Sequence, residues 1–389
     1  MNDFTFGIST KVVFGHGVVK NLAPICKDRG FSRVLVITGR TATKNSPHFQ
    51  ALLEQLEQAG IQTRLFSEVE ADPSVETVEQ GVCLLQEFQA DAIMAFGGGS
   101  PMDAAKSINM VHANGGSIRD YLYGRRTITK RGIPLICIPT TAGTGSEVTA
   151  AAVTTDKQNQ QKIGVSHELM MPLLAIVDPV IHTSMPSSVT AATGIDALTH
   201  AVEAYIAVRA NPITDGLALQ AMKLIGSNLR TAYFHGDNVE ARSNMALASL
   251  MAGAAFTNAG LGAVHGIAHP IGAQFGISHG VANGIMLPYV LDYYWQAGNE
   301  KLRDVAIALG EDIYQLPDTE AQRRAIAAVN TLKKDVAIPA TLADVQIPVD
   351  ALESICADAA TYRLLANSPR QLAIEDLRII VANAFGNHD

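Results

Sequence analysis

A chain of 389 residues exceeds the size at which a single hydrophobic core keeps growing, so two domains are expected. Apolar residues make up 48% and charged residues 17%, which excludes disorder and fits a large buried core. The formal charge of -8 argues against nucleic acid or an anionic membrane as partner, since either would favour a basic surface. The opening Met1-Asn2-Asp3-Phe4 has neither a basic nor an apolar stretch of leader type, and no apolar run reaches membrane-spanning length. Cys26, Cys83, Cys137 and Cys356 form no CxxC pair, so neither a disulfide framework nor a thiolate zinc site is expected. A cytoplasmic protein is the expectation.

In chain order, Arg33-Val34-Leu35-Val36-Ile37-Thr38 reads as a buried strand, followed by a helix over 46–59. Residues 61–66 give a second strand and 74–88 a second helix. Residues 91–96 give a third strand, with a helix starting near Pro101, and 133–138 and 173–178 are further strands. Strand-helix alternation of this kind predicts a parallel sheet covered on both faces. After about Met185 long Ala- and Leu-rich segments with helical spacing take over, at 214–232, 239–256, 319–336, 349–360 and 372–385. The expected fold is therefore an α/β domain over 1–185 followed by an all-helical domain over 186–389.

Two strand ends carry loops suited to a nucleotide. The strand at 91–96 runs into Gly97-Gly98-Gly99-Ser100-Pro101-Met102-Asp103. Glycines there let backbone N–H groups approach an anion, proline presets the first helical turn, and the helix N-terminus favours a pyrophosphate. The strand ending at Ile138 leads into Pro139-Thr140-Thr141-Ala142-Gly143-Thr144-Gly145-Ser146-Glu147, whose hydroxyls are placed to line nicotinamide and ribose. Neither a GxGxxG followed by an acid nor a GxxxxGK[ST] loop is present.

The helical half holds a different chemistry. Asp196 and His200 lie four apart in a helical run and share one face. His265 and His269 repeat that spacing, and His279 follows 14 residues after His265. Any one buried histidine is more often a hydrogen-bonded core residue than a ligand; two i, i+4 pairs within 11 histidines point to a metal site. Imidazoles with one carboxylate suit iron, zinc or copper, and an open position would make the ion a Lewis acid for a substrate oxygen.

Taken together, these strings resemble the group III, iron-dependent alcohol dehydrogenases, and are similar to lactaldehyde and 1,3-propanediol oxidoreductases over essentially the full length. The carriers are Gly97 to Asp103, Thr140 to Glu147, Ala191-Ala192-Thr193-Gly194-Ile195-Asp196-Ala197-Leu198-Thr199-His200, Gly262 to His269, and His279-Gly280-Val281. The resemblance implies a dehydroquinate synthase-like fold in which Asp196, His200, His265 and His279 bind Fe(II), with zinc as the alternative used by related enzymes. It implies that His269 stands beside the metal as a proton-relay or nicotinamide-facing group. It further implies cofactor contacts at Gly97, Gly98, Gly99, Ser100, Asp103, Thr140, Thr141, Thr144 and Lys162. A homodimer or larger assembly is implied too, and the edge strand at 11–14 could pair across subunits.

Two departures from the pattern matter. Where many NAD-specific members carry an aspartate after the first nucleotide strand, this chain has Gly39-Arg40. Glycine removes the repulsion of a 2'-phosphate and Arg40 could pair with it, so the reading is NAD(P), leaning to NADP. Ala150-Ala151-Ala152 replaces a bulkier or polar stretch near the substrate pocket, which leaves the alcohol open. The expected reaction interconverts a short primary alcohol or diol and its aldehyde. Alternatives are a hydroxyacid-oxoacid transhydrogenase or a 4-hydroxybutyrate or sulfoaldehyde reductase of the same fold. From other classes, a metal-dependent hydrolase, an iron oxygenase or a non-catalytic iron-binding protein would each leave the Gly97 loop without a purpose.

Overall fold

The computed structural model describes residues 3–40, 44–159, 161–296 and 300–386. Met1 and Asn2, on which part of the leader argument rests, lie outside them. The chain divides into two compact units, one of Ile8–Thr141 with Gly145–Met185 and the other of Met1–Gly7, Ala142–Thr144 and Pro186–Asp389.

The first unit is built on six parallel strands: β1 (Lys11–Phe14), β2 (Arg33–Gly39), β3 (Gln62–Val69), β4 (Ala92–Gly97), β5 (Leu135–Pro139) and, after a hairpin of β6 (Ala151–Asp156) and β7 (Gln161–Ser166), β8 (Leu174–Val177). Their order is β1-β8-β5-β4-β2-β3, so β1 lies at one edge. The continuous apolar runs follow from burial on both faces. Val34 and Val36 of β2, with Met94 and Phe96 of β4, pack with Leu22 and Cys26 of α1 (Leu22–Asp28) and Phe49, Leu52 and Leu56 of α2 (Pro47–Gln58). The alternate residues, Leu35 and Ile37 with Ile93 and Ala95, pack with Val78 and Leu85 of α3 (Val75–Phe88) and Met102 and Ile108 of α4 (Gly99–Asn114). Each such fully buried side chain contributes about 1.5–3 kcal/mol over leaving it in water.

The antiparallel β6-β7 hairpin is an element the sequence pattern does not announce. Its inward positions are Ala152, Thr154 and Asp156, small or polar where an apolar alternation would be the signal. Behind the hairpin lies a buried polar knot. The Lys106 ammonium, on α4, donates to Ser146 Oγ at 2.8 Å, Thr149 Oγ1 at 2.9 Å and the Ala151 carbonyl at 2.8 Å. One Asp103 oxygen accepts from Ser146 Oγ at 2.8 Å, the other from the Val153 N–H at 3.0 Å.

The second unit contains only helices among the described residues: α6 (Ser187–Ile206), α7 (Pro212–Phe234), α8 (Val239–Ala259), α9 (Ala263–Phe275), α10 (His279–Gln296), α11 (Leu302–Ala308), α12 (Asp318–Asp335), α13 (Leu352–Ala359) and α14 (Ile374–Ala384), numbered after the short α5 (Ile118–Leu122) of the first unit. α6 is buried on every side from Gly194 to Ile206, as the central helix of a bundle must be. α9 runs on past Pro270 to Phe275. The first turn of α10 lies directly on α6: a Cβ at Gly280 would sit 2.2 Å from the Ala192 carbonyl oxygen, so only glycine allows this approach. That contact delivers His279 to the helix carrying Asp196. No single helix among the described residues is long and apolar enough to cross a membrane.

Candidate metal centre and cofactor loops

Three helices of the second unit converge on one point. α6 supplies Asp196 and His200, α9 supplies His265, and α10 opens on His279. One donor atom from each lies within 4.8 Å of the others. Asp196 Oδ1 is 3.7 Å from His279 Nε2 and 4.0 Å from His265 Nε2. An ion with bonds of about 2.1 Å needs its donors roughly 3–4 Å apart, so the four residues fit a divalent metal after only a slight contraction. Asp196, His200 and His265 are buried, while the His279 side chain is 26% exposed and marks the accessible side of the set.

The surroundings fix which ring nitrogen faces the centre. His200 Nδ1 donates to the Gly143 carbonyl at 3.2 Å, which leaves the Nε2 lone pair as the nitrogen that could hold an ion. A side chain at Gly143 would meet Thr193 Cβ at 2.7 Å and Thr193 Cα at 3.0 Å, so glycine is required for the carbonyl to come this close. His265 Nδ1 contacts Glu203 Oε2 at 2.5 Å. The Asn283 amide nitrogen lies 2.7 Å from Asp196 Oδ1, 3.1 Å from His265 Nε2 and 3.2 Å from His279 Nε2. Its two hydrogens serve three contacts, the shortest to Asp196, so the His265 proton is placed instead by Glu203, which takes it at Nδ1 and leaves Nε2 with a lone pair. Burial, helped by the nearby His200, pushes the His265 pKa down to about 3, and burial pushes Glu203 up to about 7. The first direction keeps the imidazole neutral, the state a metal ligand needs, while the backbone N–H groups of Val264, Gly262 and His265 oppose the second and favour the Glu203 carboxylate.

Apolar rings border the centre. Phe256 stacks on His200 at 4.5 Å between ring centroids, and Tyr362 meets His269 edge-on at 5.2 Å. His269 itself is outside the four-donor set, its ring 5.2 Å from that of His279.

Of the residues read as cofactor contacts, most lie at the ends of β2 and β4 or in the loop that follows β5, while Asp103 lies within α4 and Lys162 in β7 of the hairpin. Gly97 closes β4, Gly98 precedes α4, and Gly99 and Ser100 form its first turn. The Thr140 N–H donates to the Gly97 carbonyl at 2.9 Å, which ties the two loops together. Thr141 follows it, and Thr144 lies one residue beyond the Gly143 carbonyl that holds His200. Ser100 Oγ accepts from the Asp72 N–H at 3.3 Å, and Asp72 Oδ1 is 2.6 Å from Lys162 Nζ. Asp103 differs from the rest, because both its oxygens are committed inward to Ser146 and Val153. Gly39 ends β2, and Arg40, 55% exposed along its side chain, donates to the Glu68 carbonyl at 3.0 Å and lies 3.9 Å from Glu70.

Glu203, Asn283 and the Gly143 carbonyl are functional neighbours that residue-type reasoning missed. The first two had a signal: Glu203 is three residues after His200 and Asn283 four after His279, each on its ligand's helix face. A carbonyl has none.

Residues 9–179 match the iron-containing alcohol dehydrogenase family, and residues 190–385 match its C-terminal region, described as Fe-containing alcohol dehydrogenase family, C-terminal. Among curated proteins, the chain is 42% identical to long-chain-alcohol dehydrogenase 1 of Geobacillus thermodenitrificans, over 95% of this chain and 94% of that one. It is 37% identical to the NAD-dependent methanol dehydrogenase of Bacillus methanolicus, over 98% and 99%. Among solved structures, a 1,3-propanediol oxidoreductase superposes with a TM-score of 0.95 at 36% identity, covering 99% of this chain and 100% of the other.

Proposed function

The chain belongs to the iron-containing alcohol dehydrogenase family, and on that premise we propose that it interconverts a short primary alcohol or diol and its aldehyde by hydride exchange with a nicotinamide dinucleotide, NADP(H) ahead of NAD(H). The observation that carries the reading is the convergence of Asp196, His200, His265 and His279 on one point. A divalent iron held there supplies Lewis acidity, polarising an aldehyde carbonyl and acidifying an alcohol, with zinc able to compete for the same donors.

The chain's own residues do the rest. Three neutral imidazoles and one carboxylate leave a divalent ion with net positive charge; the bonds that His200 and His265 donate to the Gly143 carbonyl and Glu203 hold their tautomers, and the bond Asp196 accepts from Asn283 holds its carboxylate. The Gly97–Gly99 turn and the N-terminus of α4 take the dinucleotide pyrophosphate. Thr140, Thr141 and Thr144 line the nicotinamide ribose. Lys162, joined through Asp72 to Ser100 of the pyrophosphate turn, lies near the cofactor. Asp103 acts one step back, bracing the loop at Ser146. An imidazole nitrogen of His269 takes up the alcohol proton and passes it towards solvent. Phe256 and Tyr362 favour an aliphatic chain beside the reacting carbon.

The NADP preference rests on charge at the end of β2. Gly39 carries no acid to repel a 2'-phosphate. Arg40 and Lys157 both face Glu70, at 3.9 Å and 3.2 Å, so this trio keeps one positive charge in excess. The test is anaerobic Fe(II) reconstitution followed by nicotinamide absorbance with short alcohols and aldehydes and both cofactors. Turnover fastest with NADPH and a short aliphatic aldehyde supports the proposal. Absence of any dinucleotide-linked turnover across the panel refutes it.

A further inference from the structure

Glu203 is a fully buried acid, 2% exposed, one turn after His200 on α6, and among the described residues no lysine or arginine pairs with it. A carboxylate in that position needs a compensating set of donors. It finds them at the start of α9. Oε1 accepts from the Val264 N–H at 2.7 Å, and the backbone N–H groups of Gly262 and His265 also bond to it. These are the unpaired donors of a helix N-terminus, where negative charge is stabilised. Oε2 is 2.5 Å from His265 Nδ1. One carboxylate therefore closes the first turn of α9 and grips the imidazole that projects from that same turn.

Resting on the metal-site reading above, we propose that Glu203 is a positioning residue for the metal: it fixes His265 as the Nδ1–H tautomer with Nε2 directed to the ion, and it strengthens that nitrogen as a donor. The geometry requires a carboxylate rather than an amide. An anionic acceptor pulls density from the Nδ1–H bond into the ring and raises the basicity of Nε2, which a neutral acceptor does far less. On the other side the Asn283 amide nitrogen lies 3.1 Å from Nε2 and 2.7 Å from Asp196 Oδ1, and an ion bound at Nε2 would take that lone pair and leave Asn283 its bond to Asp196. The reversed tautomer would set two N–H groups against each other there and leave Glu203 facing a lone pair.

The test compares the full-length protein with Glu203→Gln and Glu203→Asp. Each is stripped by chelation and titrated anaerobically with Co(II), the affinity coming from chelator competition and the ligand field from the visible absorption bands. Loss of an outer-shell partner of this kind weakens metal binding about 10–100-fold. Glu203→Gln is expected to fall in that range with altered Co(II) bands. Glu203→Asp keeps the charge but is one methylene shorter, and should fall between. If Glu203→Gln does not fold, the Glu203→Asp comparison decides alone. A purely structural role would lower the melting temperature and leave Co(II) affinity and bands as in the parent, and that result overturns the proposal. A parent protein that binds no Co(II) at all overturns the metal-site reading itself, a distinguishable failure.

Discussion

Replacing Gly143 with alanine asks whether a single backbone carbonyl organises the metal centre. The added methyl carbon would sit 2.7 Å from Thr193 Cβ and 3.0 Å from both Thr193 Cα and its carbonyl oxygen. Two of those three atoms are backbone of α6, three residues before Asp196, so no side-chain rotation relieves the clash. The loop must move instead, by the several tenths of an ångström that separate these contacts from ordinary packing. The bond from His200 Nδ1 to the Gly143 carbonyl is already 3.2 Å, at the long end of the useful range, and such a shift ends it. Overpacking of this kind costs about 1–3 kcal/mol. Release of a ligand's outer-shell partner should weaken metal binding by roughly 10–100-fold. Thermal unfolding of the stripped protein reads the first effect, and Co(II) titration against a chelator reads the second. A Gly143→Ala protein that melts with the parent and binds Co(II) with the parent's affinity would refute the reasoning.

Gly39→Asp should reduce kcat/KM with NADPH far more than with NADH, measured side by side; equal losses would remove the 2'-phosphate argument. Lys106→Met leaves the buried Asp103 without its cation, and denaturant unfolding should show a loss of about 3–5 kcal/mol. Burial alone would raise the Asp156 pKa, but hydrogen bonds from Arg119, Asn159 and Tyr123 outweigh it and hold the carboxyl at about 2. The unfolded chain then binds more protons between its ordinary value of 3.8 and about 2, so stability present above that window is lost as pH falls through it. An Asp156→Asn protein should show a shallower acid limb, by a term on the order of 1 kcal/mol.

The strands β2, β4 and β5 were legible because both faces of a parallel sheet are covered, which writes continuous apolar runs into the sequence. The β6-β7 hairpin was not, since two of the three buried positions of β6 are polar, Thr154 beside Ser107 and Asp156 bound by Arg119, and the third is only alanine. Of the four candidate donors, Asp196 and His200 stood out by their spacing on α6, whereas the spacing on α9 paired His265 with His269, which lies outside the set, and His279 opens a third helix, α10. Their partners depend on how three helices meet, and periodicity within one helix cannot say that Glu203 finds His265 on α9 or that Asn283 reaches back to Asp196 on α6. Asp103 shows the same limit. It belongs to a phosphate-loop string, yet it sits three residues before Lys106 on the buried side of α4 and turns inward. Nothing in residue type could have singled out the Gly143 carbonyl.

The central claim is that hydride exchange depends on an ion held by Asp196, His200, His265 and His279. The most direct measurement titrates the stripped protein with Fe(II) under anaerobic conditions and follows aldehyde-dependent oxidation of NADPH, in the parent and in His265→Ala. The account predicts activity that rises from baseline with added iron until the parent's site is filled, and none in His265→Ala under the same conditions. Full turnover in metal-stripped parent, or in metal-free His265→Ala, would contradict it.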